Sequence, residues 1–171
     1  MEFIKLAEER YSLRKFSDKP IEKEKIDLVL KAGQLAPTAC NFQPQRIIVL
    51  DNEESLEKIK RCTKYHFNAP MVLLICYDNS VSWKRNDGKD SGDIDASIVA
   101  TQMMLQATEL DLGTTWVGYF DAVQTAKEFS LPDNIVPVVM FPIGYPAEDA
   151  IKSNNHSQRL GLEKTVFYNK Y

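Results

Sequence analysis

The chain has 171 residues, of which 44% are hydrophobic and 26% charged, with a net charge of -3. That length supports one domain, 1–171, whose core needs no metal or disulfide staple, and the acidic balance argues against a general nucleic-acid binder. Cys40, Cys62 and Cys76 are odd in number and form no CxxC pair, no segment approaches membrane-spanning length, and the charged stretch 2–10 contains no apolar signal core, so a cytoplasmic protein with reduced thiols and no membrane partner is expected.

In chain order, residues 2–10 place Phe3, Leu6 and Ala7 on one helical face and deliver Arg10 to the helix end. The stretch Arg10-Tyr11-Ser12-Leu13-Arg14 follows, two guanidinium groups around a hydroxyl. By itself it is either a solvated helix end or an anion cradle, since arginine forks match phosphate oxygens bidentately. After a break at Ser17-Asp18-Lys19-Pro20, residues 21–35 read as a second helix. The Pro-rich segment 36–44 is too irregular for either period and carries uncharged donors, which suits a ligand wall. It feeds a strand at 46–50.

Residues 53–65 read as a third helix, and the apolar run 71–77, lacking alternation, as a strand covered on both faces. The polar excursion 78–91 is either a plain connection or a lid carrying Trp83. Residues 93–110 form the longest predicted helix, with Ile94, Ile98, Thr101 and Leu105 on one stripe and Val99, Met103 and Leu110 beside it. So broad an apolar surface predicts a central, buried helix. Gly113 is placed as its C-cap, then come a strand at 114–120, a short helix at 122–130 and a strand at 135–143 interrupted by Pro137. Val166, Phe167 and Tyr168 are β-prone but follow a domain already complete, so the tail needs a surface, a partner subunit being one candidate.

The sequence has no Gly-rich dinucleotide fingerprint, GxxxxGK loop, GxSxG elbow or HExxH motif. His66 and His156 are isolated and read as structural or surface residues, and Glu53-Glu54 and Asp93/Asp95 as helix starts rather than acid/base dyads. The remaining cluster, Arg10, Ser12, Arg14, Thr38, Asn41, Gln43 and Arg159, suits a flat, polar-edged cofactor with a phosphate tail.

Together, Arg-x-Ser-x-Arg at 10–14, Ala-Pro-Thr-Ala-x-Asn-x-Gln-Pro at 36–44, Trp116-Val117-Gly118, Pro142-Ile143-Gly144-Tyr145-Pro146 and Arg159 with Leu162-Glu163 run in an order that resembles the nitroreductase-like flavoprotein family. The resemblance implies an α+β fold with a central, mostly antiparallel sheet flanked by helices, in an intertwined homodimer with C-terminal arm exchange and FMN at two interface sites. It implies that Arg10, Tyr11, Ser12 and Arg14 hold the phosphate, ribityl chain and pyrimidine edge, with Arg159 a second phosphate ligand. Pro37, Thr38, Ala39, Asn41 and Gln43 would form the wall lent by the partner subunit, Gly118 and Tyr119 the backbone near flavin N5, and Gly144 would lie by the phosphate end. Two departures stand out: Cys40 replaces the usual Gly, shifting the loop, bringing a thiol near the flavin or being buried as a small apolar residue, and Gln45 stands at an often aromatic position.

The implied activity is FMN-dependent reduction of a flat electrophile, a nitroaromatic or quinone, by NADH or NADPH in ping-pong hydride transfer, with no catalytic side chain. A reductive dehalogenase or flavin-consuming enzyme of the same fold, and a non-enzymatic FMN redox sensor or store, are the alternatives.

Overall fold

The computed structural model describes residues 2–171. At its centre is β2 (Met71–Asp78), buried over its last seven residues, as an unbroken apolar run requires of a strand covered on both faces. β1 (Gln45–Leu50) flanks it on one side and β4 (Ile135–Gly144) on the other, with the two-residue β3 (Gly113–Thr114) beyond β4. Every pairing is antiparallel, and Ile75 faces both Ile47 and Val139 across the ladders. The chain therefore has the expected α+β architecture.

The two-residue period of β2 feeds two separate cores. Leu73, Ile75 and Tyr77 pack with Val29 of α2 (Lys23–Gln34) and with Val99 and Met103 of α4 (Gly92–Glu109). Val72, Leu74 and Cys76 pack with Ile59 and Cys62 of α3 (Glu53–Cys62), beside which lies α5 (Ala122–Glu128). Gly33 lets α2 approach α4, because a Cβ there would lie 2.7 Å from Met103 Sδ. Pro137 sits at a bulge: Ile75 pairs with Val139 and Cys76 with Pro137, leaving Val138 as the extra residue where the ladder is already disrupted.

The sequence expectations need correction in several places. In α1 (Phe3–Glu9) only Leu6 is buried, and Phe3 is 62% exposed. Helix α4 is covered on one face only: Ala96, Val99, Ala100, Met103 and Ala107 are buried, while Ile94 and Ile98 are 51% and 38% exposed. That open stripe forms, with Phe3 and Pro37, an apolar groove of about 720 Å³. Gly113 does not cap the helix. Asp111 does so at φ 62°, with its N–H on the Thr108 carbonyl at 3.1 Å and the Leu112 N–H on the Ala107 carbonyl at 2.9 Å, a Schellman arrangement.

The third helix stops at Cys62 and the helix over 122–130 at Glu128. The strand expected at 114–120 shortens to Gly113–Thr114, but the chain stays beside β4 as far as residue 117, with the Thr115 N–H on the Pro142 carbonyl at 3.3 Å and Val117 bridging Met140. Val166 to Tyr168 form no strand, and every residue from 157 to 171 is exposed. No helix among the described residues is long and apolar enough to cross a membrane.

Candidate functional site

The segment after α1 is laid against the sheet edge by its middle residue. Leu13 is 1% exposed, its N–H donates to the Thr114 carbonyl at 2.9 Å, and Ser12 bridges Thr114. Gly113 makes room for it, since a Cβ there would come within 2.3 Å of Leu13 Cδ2. With Leu13 anchored inward, the alternating residues Ser12 and Arg14 are left at the surface side of the segment.

There Arg10, Tyr11, Ser12 and Arg14 line a cavity of about 190 Å³ together with Arg159 and His156 from the C-terminal segment. Burial, and then the neighbouring Arg159 guanidinium, push the pKa of Arg10 down. Among the described residues no carboxylate lies within ion-pair distance of Arg10, Arg14 or Arg159. Like-charged guanidinium groups gathered without an acid form a site that an anion stabilises, and arginine's fixed fork suits the oxygens of a phosphate.

Arg14 also lines a second cavity of about 270 Å³, shared with Tyr65, Phe67, Trp116, Gly118 and Tyr119. Its walls are fixed from behind. Thr63, the residue that follows α3, donates its hydroxyl to the Tyr119 carbonyl at 2.7 Å, Tyr65 meets Tyr119 edge-on at 5.8 Å, and Trp116 stacks edge-on to Phe141 at 5.4 Å. Thr115 lines the same cavity, is 3% exposed, and its hydroxyl has no hydrogen-bond partner among the described residues. A cationic corner and an aromatic slot meeting at one arginine fit a flat ring with a phosphorylated tail.

The other expected residues stand apart within one chain. Pro37 borders the groove along α4 rather than either cavity. Thr38, Ala39, Asn41 and Gln43 belong to a tight loop around a 3₁₀ turn, Ala39–Asn41, in which Thr38 Oγ1 accepts from the Gln43 N–H at 3.0 Å. Cys40, Asn41 and Gln43 have φ of 50°, 56° and 51°, in the left-handed region that glycine enters most easily. Cys40 is exposed rather than buried as a small apolar residue, so its effect is on the loop backbone. Gly144 lies at the end of β4, where a Cβ would be 2.9 Å from Pro70 and 3.0 Å from Phe16, a packing role. Trp83 is half-buried and ties the 78–91 excursion together through its carbonyl, which accepts from the Ser91 N–H at 3.0 Å; it lines neither cavity.

Sequence reasoning missed Tyr65, Phe67, Thr115 and His156. Tyr65 was legible only as the end of a predicted helix that stops earlier, at Cys62, Phe67 lay beyond that helix with no signal of its own, and His156 was legible only as an isolated histidine.

The fold and the paired cavities set a cluster of guanidinium groups beside an aromatic slot at the sheet edge. The model of the Nitroreductase family matches residues 7–67 and 63–145, and the chain belongs to that family. A Methanothermobacter thermautotrophicus protein, provisionally named as an NADH dehydrogenase/NAD(P)H nitroreductase, is 32% identical over 96% of this chain and 88% of its own length. The crystal structure of a nitroreductase family protein from Clostridium difficile is 41% identical, with a TM-score of 0.94 over 100% of both chains. An FMN-dependent nitroreductase from the same species is 30% identical, with a TM-score of 0.82 over 98% of this chain and 99% of that one.

Proposed function

We propose that this protein is an FMN-dependent oxidoreductase that takes electrons from NADH or NADPH and passes them to a flat electrophile such as a nitroaromatic or quinone. The observation that carries this reading is the junction at Arg14 of an arginine-lined anion corner with an aromatic slot. FMN held by Arg10, Ser12, Arg14 and Arg159 would supply the hydride chemistry that links donor to acceptor.

The chain's own residues bind, orient and exclude water. Arg10 and Arg159 offset the charge and desolvation of the phosphate, the Ser12 hydroxyl serves the adjoining chain, and Arg14 serves the polar edge of the ring. Tyr65, Phe67, Trp116 and Tyr119 supply the apolar walls, and the Thr63 bond holds the 118–119 backbone in one position. No side chain is assigned an acid or base role, because the redox chemistry belongs to the flavin.

In this reading the protein works as a homodimer. The loop of Pro37, Thr38, Ala39, Asn41 and Gln43 reaches the cofactor of the other subunit, which accounts for its separation from both cavities within one chain. The exposed stripe of Ile94 and Ile98, and the exposed Val166, Phe167 and Tyr168, supply the apolar surface for such an assembly.

The test is to purify the protein, record its absorption, and titrate the stripped protein with FMN. Flavin bands that bleach with NADH or NADPH and return with a nitroaromatic or quinone support the reading. A colourless protein that takes up no FMN overturns it, and bound FMN without turnover would leave a sensor or store.

A further inference from the structure

Arg159 sits on an exposed stretch held to the body of the protein by few contacts: Lys152 Nζ lies 5.2 Å from the centre of the Tyr11 ring, and the others are made by His156. From 151 to 171 every residue is exposed except His156. Its Nε2 is 2.9 Å from the carbonyl oxygen of Glu8. That carbonyl belongs to the last turn of α1, where backbone oxygens have no partner within the helix, and an imidazole N–H is a suitable donor to them. The next helix carbonyl in need, that of Leu6, is already served by the Arg10 N–H at 3.0 Å.

The imidazole also lies edge-on to Tyr11, centroids 6.4 Å apart. A short turn presents it: the His156 N–H donates to the Ser153 carbonyl at 2.9 Å and the Gln158 N–H to the Asn155 carbonyl at 3.2 Å. Arg159 follows three residues later, with Nη1 donating to the Gln158 carbonyl at 2.7 Å, and lines the corner with Arg10.

We propose that His156 is a positioning residue: by latching the C-terminal segment onto the end of α1 it holds Arg159 in the anion corner, and so sets the preference for a phosphorylated flavin over an unphosphorylated one. This inference rests on the FMN reading for its ligand, but the latch is a property of the chain itself. An arginine on an untethered segment would have to be ordered at the moment of binding, which offsets part of the charge-assisted contact it makes. Riboflavin, which lacks the phosphate, does not use that contact.

The experiment compares FMN and riboflavin dissociation constants, by quenching of flavin fluorescence, for stripped wild type, His156→Leu, His156→Gln and Arg159→Ala. His156→Leu is expected to weaken FMN about 10-fold or more while riboflavin moves by less than about 2-fold. His156→Gln, which keeps an N–H donor at similar reach, is expected to recover most of the FMN affinity, and adding His156→Leu to Arg159→Ala should cost little further. Equal losses for both flavins, or FMN affinity unchanged in His156→Leu, overturn the proposal. Tryptic cleavage after Lys152 and Arg159 reads the latch without any flavin: it should accelerate in His156→Leu and not in His156→Gln, and unchanged cleavage in His156→Leu overturns the latch. Wild type that binds no FMN, with cleavage behaving as expected, would instead sink the FMN reading alone.

Discussion

Asp95, in the first turn of α4, accepts a hydrogen bond from the Ala39 N–H at 2.9 Å through Oδ1, so the longest helix holds the loop that follows α2. Asp95 is 1% exposed and its Oδ2 has no partner among the described residues. The helix N-terminus favours its charge, yet a carboxylate with one orphan oxygen is costly to bury. Asp95→Asn keeps an oxygen for Ala39 but puts an unpartnered amide group where Oδ2 lies, so it should fold within about 1 kcal/mol of wild type and retain FMN affinity. Asp95→Ala strands the Ala39 N–H and should lose about 1–3 kcal/mol, together with FMN affinity through the slackened loop. Urea denaturation and FMN titration check both; equal behaviour of the two variants would refute the tether.

Arg14 differs from the other arginines in lining both cavities. Removing it should weaken FMN and riboflavin alike, by about 2–5 kcal/mol if its partner is left desolvated and unpaired. Arg10→Ala should instead cost FMN far more than riboflavin. Fluorescence titrations of both variants decide it, and an Arg14→Ala protein that loses only FMN would place Arg14 wholly at the phosphate.

Thr114 and Thr115 are 2% and 3% exposed, and neither hydroxyl has a hydrogen-bond partner among the described residues. Valine keeps the shape without the unsatisfied group, so Thr114→Val and Thr115→Val should each raise ligand-free stability, by up to about 1 kcal/mol. Thermal or urea unfolding measures it. A fall in stability for either would mean that its hydroxyl is satisfied in solution.

What the sequence made legible was what repeats along the chain. The seven apolar residues from Met71 to Tyr77 specify a central strand because period and burial agree, whereas the Arg10 to Arg14 segment by itself left a solvated helix end and an anion cradle both open. The two stripes of α4 were visible, but which one meets the sheet depends on neighbours distant in sequence, and it is the stripe of Val99 and Met103, with Leu110 at its end, that packs into the core. The cap at Asp111 was missed because glycine is the usual left-handed residue and Gly113 stood nearby. Links such as Ala39 to Asp95 and Glu8 to His156 join residues 56 and 148 positions apart, and no local pattern announces them.

Asp78 ends β2 and gathers three elements. Its carboxylate accepts from the Ser80 hydroxyl, from Asn134 Nδ2 at 2.8 Å and from the Ser80 N–H at 3.0 Å, and it pairs with Arg46 of β1 at 3.1 Å. These bonds, those of Ser80 and Asn134 foremost, hold its pKa down to about 2. An aspartate in an unfolded chain titrates near 4 (~3.9). A folded-state value below the unfolded one means that the unfolded chain binds the proton first as pH falls, so this stabilisation is complete above about pH 5 and is lost as pH drops from about 4 to about 2. Glu22 and Glu128, also held down to about 2, the first by Tyr145 and the second by Arg61, add to the same acid limb. Asp78→Asn removes one of these titrations, so unfolding free energy plotted against pH should fall less steeply in the variant across that window, with a slope reduced by one proton's share and a residual slope from Glu22, Glu128 and the other carboxylates held below their usual range, Glu54, Glu57, Asp87, Asp90 and Asp149. Urea unfolding at a series of pH values from about 5 to about 2 tests it; superimposable slopes for wild type and variant would show that Asp78 does not carry the acid sensitivity.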